Sequence, residues 1–251
     1  GIYKEIAEKV SAGKLVLFTG TPCQCAELVK FIGSRPQNLI VIDFLCHGVP
    51  SPLLFREHIY MWEKKTGKKA IDFSFRSKKY GYDSNPQIIF EDGKENTSVE
   101  LKRLLKIYAV SMRESCYYCP YASKYRYGDI SIADMWEAGY LASIYDNVGV
   151  STVLVNTDLG QKLVDDMAEV CKVYPVRVED IKQSALSRPV ARTKSVDDFW
   201  DYYFEFGYEK TLDKFGRSTL KSKIYQHMLR ILYILRLDRF YIYFVSKVLK
   251  R

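Results

Sequence analysis

The feature that most constrains the fold of this sequence is an alternation of strand-like and helix-like segments near its beginning. Lys14–Phe18 is a short apolar run suited to a buried strand, residues 24–32 have helical spacing, and Leu39–Leu45 is a second apolar run. Gly20-Thr21-Pro22 forms a turn between the first strand and the helix. This order predicts a parallel crossover, which brings the carboxyl ends of both strands to one edge of a sheet. Ligands bind at that edge in open α/β sheets.

Further along the chain the periodicity changes from helical to alternating. Ile71–Phe75 and Gln87–Phe90 are predicted to be antiparallel strands, and Glu91–Lys94 is predicted to turn into a third. Other predicted elements are helices at 2–10, 52–65, 101–112, 196–215 and 219–250, and strands at 128–136, 149–157 and 173–178. We therefore expect an α/β fold: a mixed sheet with a parallel crossover start and an antiparallel hairpin section, followed by a helical C-terminal region.

Length and composition predict one large domain, or one domain with an appendage. With 251 residues, 47% of them hydrophobic, the chain is able to bury a substantial core. We expect a first domain over residues 1–190 and a helical, basic extension over 191–251. Residues 1–13 lack the apolar centre of a signal peptide, and no run approaches the roughly 18 apolar residues of a membrane span. The sequence therefore favours a reducing, cytoplasmic setting.

The net positive charge of the chain comes entirely from its C-terminal segment. Residues 217–251 contain nine Lys and Arg residues and one acid, Asp238, which accounts for the whole formal net charge of +8. This distribution argues against nucleic-acid binding. The apolar residues Ile224, Met228, Ile231, Leu232 and Leu235 recur at helical spacing among these cations. The segment therefore predicts a helix that binds the inner face of a membrane peripherally or binds a partner, with ordinary packing as an equal alternative.

Six cysteines are present, and four of them lie beside turn formers or at the ends of strand-like runs. The four are Cys23, Cys46, Cys116 and Cys119. A thiolate tetrad from separate turns is able to hold an iron–sulfur cluster or a zinc ion. The alternative is that they are small buried hydrophobic residues. Cys25 is an alternative to Cys23 as a ligand, and Cys171 is expected to pack within a helix.

Two histidines and one aspartate have competing interpretations. His47 follows Cys46 at a strand end and is a candidate ligand neighbour or proton donor. His58 lies in a predicted helix and is expected at the surface or partly packed. Asp134 ends a predicted strand, where it pairs with a substrate or cofactor or else caps the next turn.

A basic and aromatic loop lies between the first two hairpin strands. Arg76-Ser-Lys-Lys-Tyr-Gly-Tyr82 offers Arg76, Lys78 or Lys79 to a cofactor phosphate, and its aromatic rings to a flat ring system. The alternative interpretation is a solvated hairpin loop.

Taken together, five ordered motifs resemble the beta-subunit family of the coenzyme F(420)-reducing hydrogenases and dehydrogenases. The motifs are Phe18-Thr-Gly-Thr-Pro-Cys-Gln24, Asp43-Phe-Leu-Cys-His-Gly-Val-Pro-Ser-Pro52, Phe75-Arg-Ser-Lys-Lys-Tyr-Gly-Tyr82, Cys116-x-x-Cys119-Pro and Gly128-Asp-Ile-Ser-Ile-Ala-Asp-Met-Trp136. The resemblance covers roughly residues 14–160 and implies FAD and a 4Fe-4S cluster. By position it assigns the cluster to the four cysteines named above, and it makes Arg76, Lys79 and Asp134 hypothetical flavin-site residues.

The resemblance also implies partners and a reaction type. Such a protein passes electrons between a cluster chain and a deazaflavin or another two-electron acceptor, and it receives them from an electron-donor protein or a ferredoxin-like domain. Longer members carry an N-terminal ferredoxin-like segment, so this sequence is expected to begin partway through the family domain. Ala133, Met135 and Glu137 depart from the family's Gly-Asp-Phe-Trp-Gly pattern.

The sequence therefore supports three functional hypotheses. The first is a flavin- and cluster-dependent oxidoreductase. The second is a structural or binding module with zinc or a cluster on the four cysteines, and the third is an inactive, truncated relative. The region beyond about residue 190 is similar to family members associated with cell-surface polysaccharide pathways, which places all three hypotheses in such a pathway.

Overall fold

The computed structural model of the chain describes residues 1–81, 86–136, 146, 148–181, 183–241 and 244. These residues form two compact units. The first unit comprises residues 1–47, 118–137 and 150–189, and the second comprises residues 48–117, 138–149 and 190–251. The second unit thus interrupts the first in sequence. The predicted domain boundary after residue 190 stays a prediction.

Both helices and strands occur along the described residues. The helices are α1 (Ile2–Ser11), α2 (Pro22–Ile32), α3 (Pro52–Thr66), α4 (Arg103–Lys106), α5 (Glu114–Tyr117), α6 (Asp158–Ala168), α7 (Lys194–Phe215) and α8 (Leu220–Ile234). The strands are β1 (Val16–Gly20), β2 (Leu39–Phe44), β3 (Ala70–Ser74), β4 (Gln87–Phe90), β5 (Glu95–Asn96), β6 (Ile130–Asp134) and β7 (Ser151–Val155). Short 3-10 turns occupy Tyr108–Val110, Val178–Asp180 and Ser184–Leu186.

The first unit contains a mixed four-stranded sheet with the order β1-β2-β6-β7. β1 pairs with β2 in parallel, and β2 pairs with β6 in parallel, whereas β6 and β7 are antiparallel. Helix α2 connects β1 to β2, as the parallel crossover predicts. The whole of residues 48–117 lies between β2 and β6 in sequence, which provides the long connection that parallel neighbours require. The predicted α/β fold class is confirmed.

The core of the first unit lies between its helices and the sheet. Ile6 of α1, Leu28 of α2, and Leu39 and Val41 of β2 are buried together. β2 alternates buried and half-buried positions because it has neighbours on both sides, whereas β1 lies at the edge and alternates half-buried and exposed positions.

The second unit contains a three-stranded antiparallel sheet, β3-β4-β5, as the alternating sequence predicts. Its largest core cluster joins α3 and α7 through Leu54, Phe199 and Leu212, each almost completely buried. Gly207 has a φ of +77° and kinks α7. Only a residue that tolerates a left-handed backbone is accommodated at this kink without strain.

Three sequence predictions of secondary structure are wrong. The helix predicted over 101–112 is reduced to α4 and a 3-10 turn, and no strand forms at 173–178, where Val173 and Val176 are exposed. An apolar run becomes a strand only where a neighbouring strand satisfies its backbone groups. The third prediction, a helix over 219–250, is wrong only in its continuity: α8 ends at Ile234, and residues 238–241 and 244 are helical again. Residues 242–243 and 245–251 lie outside the described residues.

No helix among the described residues combines the length and the apolar content that crossing a bilayer requires.

Candidate functional site

The carboxyl edge of the first unit's sheet is the candidate functional site. β1 ends at Gly20, β2 at Phe44 and β6 at Asp134, and because these strands are parallel their ends lie at one edge. The register places Gly20 beside Asp43 and Phe44 beside Ile132. The loops that follow the strands carry cysteine, histidine and tryptophan side chains. This edge is where the α/β topology predicts ligand binding.

Cys23 lies in the first turn of α2, immediately after β1. Thr21 is the N-cap, and it forms a capping box with Gln24: the Gln24 N–H donates to Thr21 Oγ1 at 3.5 Å, and the Thr21 N–H donates to Gln24 Oε1 at 2.9 Å. Pro22 occupies the first helical position, where its missing N–H is harmless. The Cys23 Sγ lies 3.0 Å from Thr21 Oγ1 and is exposed. The Thr-Pro-Cys-Gln sequence therefore fixes an accessible thiol at the carboxyl edge.

Cys25 does not share this environment, although it lies only two residues further along. It is completely buried in the core, and its thiol donates to the Ile42 carbonyl at 3.7 Å. Burial, with the nearby Asp43 carboxylate as a second cause, raises the pKa of Cys25 to about 12. A metal ligand must be a thiolate, so the structure favours Cys23 over Cys25 as the candidate ligand.

Cys46 and His47 follow the end of β2. Cys46 is half-buried. The His47 ring stacks on the Trp136 indole, with ring centroids 5.0 Å apart and an angle of 18° between the planes. Trp136 follows β6 and remains 46% exposed. The two residues belong to separate sequence motifs, and only the parallel pairing of β2 with β6 brings them together.

A buried ion pair fixes the end of β2, and sequence reasoning missed it. Asp43 and Arg126 have side-chain exposures of 0% and 1%, and Arg126 donates to Asp43 Oδ1 from both Nη2 (2.5 Å) and Nε (3.2 Å). Arg126 also donates to the carbonyls of Phe44, Tyr121 and Ser123. The guanidinium therefore attaches the loop that follows Cys119 to the carboxyl edge. The signal in the sequence was an acidic residue within an otherwise apolar strand.

Gly128 completes this clamp. Its N–H donates to Asp43 Oδ2 at 3.0 Å, and a Cβ at this position would lie 2.8 Å from the Asp43 nitrogen and 2.7 Å from the Ile130 carbonyl oxygen. The backbone approach thus excludes any side chain at residue 128. This accounts for the glycine that begins the Gly128–Trp136 motif.

The Cys116-x-x-Cys119 pair is divided between the two units. Cys119 belongs to the first unit and is half-buried, and its carbonyl accepts a hydrogen bond from the Ala122 N–H at 3.4 Å. Cys116 belongs to the second unit, within α5, and packs beside Met112 and Tyr117. Of the four predicted cluster ligands, three therefore belong to the first unit and one to the second.

Gly48 explains the glycine in the Cys46-His47-Gly48 motif. It has a φ of +111°, and a Cβ there would lie 2.2 Å from the Met112 Sδ and 3.4 Å from the Cys116 Cβ. Its carbonyl accepts a hydrogen bond from the Tyr108 hydroxyl at 2.5 Å. Both the backbone conformation and the space beside Cys116 therefore require glycine.

The four cysteines are free thiols, and the described residues contain no disulfide. Within the described ranges, no group of three or more His, Cys, Asp or Glu side chains is arranged closely enough to hold a metal ion. The assignment of a cluster to Cys23, Cys46, Cys116 and Cys119 stays a prediction.

Among the proposed flavin-site residues, Arg76 and Lys79 belong to the second unit. Arg76 is exposed. Lys79 forms an ion pair with Glu95, and its backbone N–H donates to Ser77 Oγ at 3.3 Å. Part of the positive charge of this loop is therefore compensated within the chain. Tyr82, at the end of the predicted loop motif, lies outside the described residues.

Asp134 belongs to the first unit and ends β6 at the carboxyl edge. It is half-buried, and its carbonyl accepts a hydrogen bond from the Gln183 side chain at 2.6 Å. The neighbouring Met135 is buried, where its sulfur accepts a hydrogen bond from Thr152 at 3.1 Å, so the departure from the family pattern at this position serves packing. Glu137 lies outside the described residues.

A cavity of about 200 Å³ lies at the opposite edge of the same sheet, lined in part by Arg35, Asp129 and Thr157. The buried Asp129 carboxylate accepts hydrogen bonds from the Val41 N–H and the Thr157 hydroxyl, both at 2.8 Å. Because the chain itself satisfies this carboxylate, Asp129 serves as a structural anchor for β2 and for the start of α6.

The predictions for Cys171 and His58 are wrong. Cys171 lies beyond the end of α6 and is exposed rather than packed within a helix. His58 is completely buried in the second unit rather than at its surface. Periodicity identified the helix around His58 correctly but did not reveal that α7 covers that face.

Comparison with known families supports the assignment that the motifs suggested. Residues 13–180, about two thirds of the chain, match the family described as the C terminus of the coenzyme F(420) hydrogenase/dehydrogenase beta subunit. The chain belongs to this family. The match includes the whole carboxyl edge of the first unit and each of the four candidate cysteines. No curated protein matches the sequence significantly.

Proposed function

We propose that this member of the beta-subunit family is a redox protein. It holds a 4Fe-4S cluster through Cys23, Cys46, Cys116 and Cys119 and passes electrons between that cluster, FAD and a two-electron acceptor. The observation that carries the proposal is the carboxyl edge of the first unit. There Cys23 and Cys46 directly follow neighbouring parallel strands, at the same edge as the stacked rings of His47 and Trp136.

The chemistry of the four donors fits a cluster. All four are free thiols that are exposed or half-buried, in contrast to Cys25 in the core. Thiolates are the ligands of iron–sulfur clusters and equally of structural zinc. The donor set therefore supports a metal centre, and the family membership favours the cluster over zinc.

The fit of the chain to a flavin rests on aromatic and polar groups. The half-exposed Trp136 indole, held against His47, offers a flat surface of the kind that stacks on a ring system. Arg76 and Lys79 are proposed to hold a phosphate and Asp134 to bind a polar edge of the flavin. When bound, the two cofactors would supply the exchange between one-electron and two-electron transfer.

The residues of the chain position these groups. The Asp43–Arg126 ion pair holds the loop after Cys119 on the end of β2, and the capping box holds Cys23 in the first turn of α2. Gly48 permits close packing beside Cys116. Such local constraints on each cysteine suit a redox centre, because its potential depends on burial and hydrogen bonding around the sulfurs.

The partners follow from the same proposal. We infer an electron-donor protein or a ferredoxin-like domain on one side, and a deazaflavin or another redox substrate on the other. Free thiols favour a reducing, cytoplasmic setting. The association with a cell-surface polysaccharide pathway stays a prediction from the sequence.

Metal and flavin analysis after anaerobic purification tests the proposed function. We expect about four iron and four sulfide per chain, a broad absorption band near roughly 400 nm, and FAD released on denaturation. Replacing Cys116 and Cys119 with Ser should abolish iron binding, because each removes a thiolate ligand. The matched control is Cys171→Ser, an exposed thiol outside the proposed set, which should retain the iron.

The other outcomes would each contradict the proposal in a distinct way. A colourless protein with one zinc per chain, lost in the Cys116→Ser and Cys119→Ser variants, would establish a zinc-bearing structural or binding module. A folded chain with neither metal nor flavin would establish an inactive relative. Iron content unchanged in both cysteine variants would refute the ligand assignment.

A further inference from the structure

Helix α8 lies on the surface of the second unit and is attached to it in part through charged and polar side chains. Lys223 pairs with Glu100 at 3.0 Å, and Arg230 donates to the Tyr80 hydroxyl at 2.5 Å with its guanidinium carbon 3.9 Å from the ring centroid. Not one residue of α8 is buried. Met228, Leu229 and Leu232 are half-buried, so part of the apolar surface of α8 faces the unit while another part stays exposed.

The apolar residues of α8 form an exposed stripe. Leu220, Ile224, Ile231, Ile234 and Leu235 are spaced at intervals of four, seven, three and one, which places them on one face of the helix. Each has between 56% and 73% of its surface exposed. We call these five residues the α8 stripe. A row of branched apolar side chains in water is unfavourable unless a partner covers it.

Helix α7, in the same unit, shows the usual arrangement. Its apolar residues Val196, Phe199 and Leu212 are buried in the core. In α8, by contrast, no apolar residue is fully buried.

The exposed apolar surface continues beyond α8. Arg236, with a φ of +57°, ends the helix, and Leu237, Phe240 and Phe244 are 47%, 72% and 61% exposed. Aromatic side chains of this kind are favoured at the boundary between lipid headgroups and acyl chains.

Charge distinguishes between the candidate occupants of this surface. Residues 217–251 carry nine cationic side chains and one acidic residue, and Arg217, Lys221, Arg236 and Arg239 are exposed. Two copies of the chain facing each other through α8 would bring two strongly positive segments together, which is unfavourable. An anionic bilayer instead complements both features, since it covers apolar side chains and attracts cations.

We propose that α8, with Leu237, Phe240 and Phe244 beyond it, binds the surface of an anionic lipid bilayer. The α8 stripe would insert below the headgroups, and the flanking Lys and Arg side chains would lie on the phosphates. The occupant is a bilayer and not a soluble phosphate, because the stripe requires an apolar phase. This proposal is independent of the metal and flavin content of the protein.

Vesicle flotation with the 251-residue chain tests the proposal. We expect binding to vesicles of phosphatidylcholine containing about one third phosphatidylglycerol, at least tenfold weaker binding to pure phosphatidylcholine, and strong weakening at about 0.5 M salt. The double variant Ile224→Glu/Ile231→Glu should bind the anionic vesicles about tenfold more weakly than the parent, since it places charges in the stripe.

The matched control is Leu15→Glu/Val170→Glu, which adds the same charge at residues that are 72% and 84% exposed in the first unit. It should bind within about twofold of the parent, because it leaves the stripe intact while changing net charge equally. Equal losses in the two double variants would overturn the role of the stripe and leave only a dependence on net charge.

A second measurement keeps the proposal falsifiable if a variant folds poorly. Brominated lipids should quench a tryptophan introduced as Ile231→Trp but not one introduced as Val170→Trp, each measured against the parent. No difference in quenching would refute insertion of the stripe. The proposal would be overturned if the parent bound no vesicles and light scattering gave it the mass of a dimer, while the Ile224→Glu/Ile231→Glu variant had the mass of a monomer. A second copy of the chain would then be the occupant of the stripe.

Discussion

Each unit of the molecule contains a buried polar centre, and the two centres differ in charge. The first unit buries the Asp43–Arg126 ion pair at the end of β2. The second unit buries His58 between α3 and α7, where His58 Nδ1 lies 2.8 Å from the Tyr208 hydroxyl and the Trp62 Nε1–H donates to His58 Nε2 at 3.2 Å. One centre is an ion pair, and the other consists of neutral hydrogen-bonding groups.

The difference corresponds to what each centre holds. Arg126 directs its remaining donors to backbone carbonyls of the loop after Cys119 and of the end of β2, so the charge serves to fix irregular backbone at the candidate site. His58, by contrast, bonds only to side chains on α3 and α7, so it joins two regular helices. Charge is thus placed where backbone groups need partners, and neutral groups where helices pack.

The hydrogen bonds also define the protonation state of His58. Tryptophan is only a donor, so His58 Nε2 must accept and its proton must lie on Nδ1, from which it is donated to the Tyr208 oxygen. A second proton would displace the Trp62 bond. Burial, with a smaller contribution from Arg103, lowers the pKa of His58 from 6.5 to about 4.

The largest effect should come from breaking the ion pair. Arg126→Met leaves the Asp43 carboxylate buried without its counterion, and we expect the free energy of unfolding to fall by about 3–5 kcal/mol. Urea denaturation monitored by circular dichroism measures this loss.

A double variant distinguishes lost charge compensation from lost packing. Asp43→Asn/Arg126→Met removes both charges and should recover part of the stability, because the uncompensated carboxylate is the main cost. A double variant no more stable than Arg126→Met would contradict that explanation. As a matched control, Arg177→Met breaks an exposed ion pair with Asp180 and should leave the denaturation midpoint unchanged within error.

The neutral centre should make the protein sensitive to mild acid. The unfolded chain protonates His58 near pH 6.5, whereas the folded chain does so only near pH 4. Stability from this residue is therefore complete above pH 6.5 and is lost as the pH falls towards 4. We expect a loss of about 3 kcal/mol across this window.

Urea denaturation at a series of pH values, compared between the parent and His58→Gln, measures this contribution. Gln keeps a neutral hydrogen-bonding group but does not titrate, so the variant should be less stable at neutral pH and should lose less stability between pH 6.5 and 4. Parallel pH profiles for the two proteins would show that His58 is not the titrating group.

Sequence reasoning predicted the local elements of the fold but missed both buried polar centres. The strands β1 and β2, the helix between them and the β3-β4-β5 hairpin were predictable because apolar runs, turn formers and caps are local signals. The ion pair was not, because Asp43 and Arg126 lie 83 residues apart in the chain. His58 was misjudged for the same reason: its partner Tyr208 is 150 residues away.

The candidate site was likewise predictable only where its features depend on local sequence. Local turns placed Cys23 and Cys46 at the ends of strands, and the structure places both at the carboxyl edge. The stacking of His47 on Trp136 depends on β2 pairing with β6 across the whole of residues 48–117, which no local pattern specifies. Similarly, the periodicity of α8 predicted an apolar face but not that Ile224, Ile231 and Leu235 stay exposed while Met228 and Leu232 are half-buried.

The smallest effect sharpens the description of the neutral centre. Tyr208→Phe removes the acceptor of the His58 Nδ1–H and leaves a buried donor without a partner, which should cost about 1–2 kcal/mol of unfolding free energy. Because the ring remains, packing against Leu54 and Phe199 is retained. The control Tyr60→Phe removes a hydroxyl from a residue that is 62% exposed and should change stability by less than about 0.5 kcal/mol.

The same variant also tests the cause of the acid sensitivity. Tyr208→Phe leaves His58 buried and leaves the Trp62 bond that protonation would displace, so the loss of stability between pH 6.5 and 4 should persist from a lower starting value. If the variant instead abolished that loss, the low pKa of His58 would depend on the Tyr208 hydroxyl rather than on burial. The acid sensitivity of the second unit would then come from the Tyr208 hydroxyl and not from the burial of a neutral group.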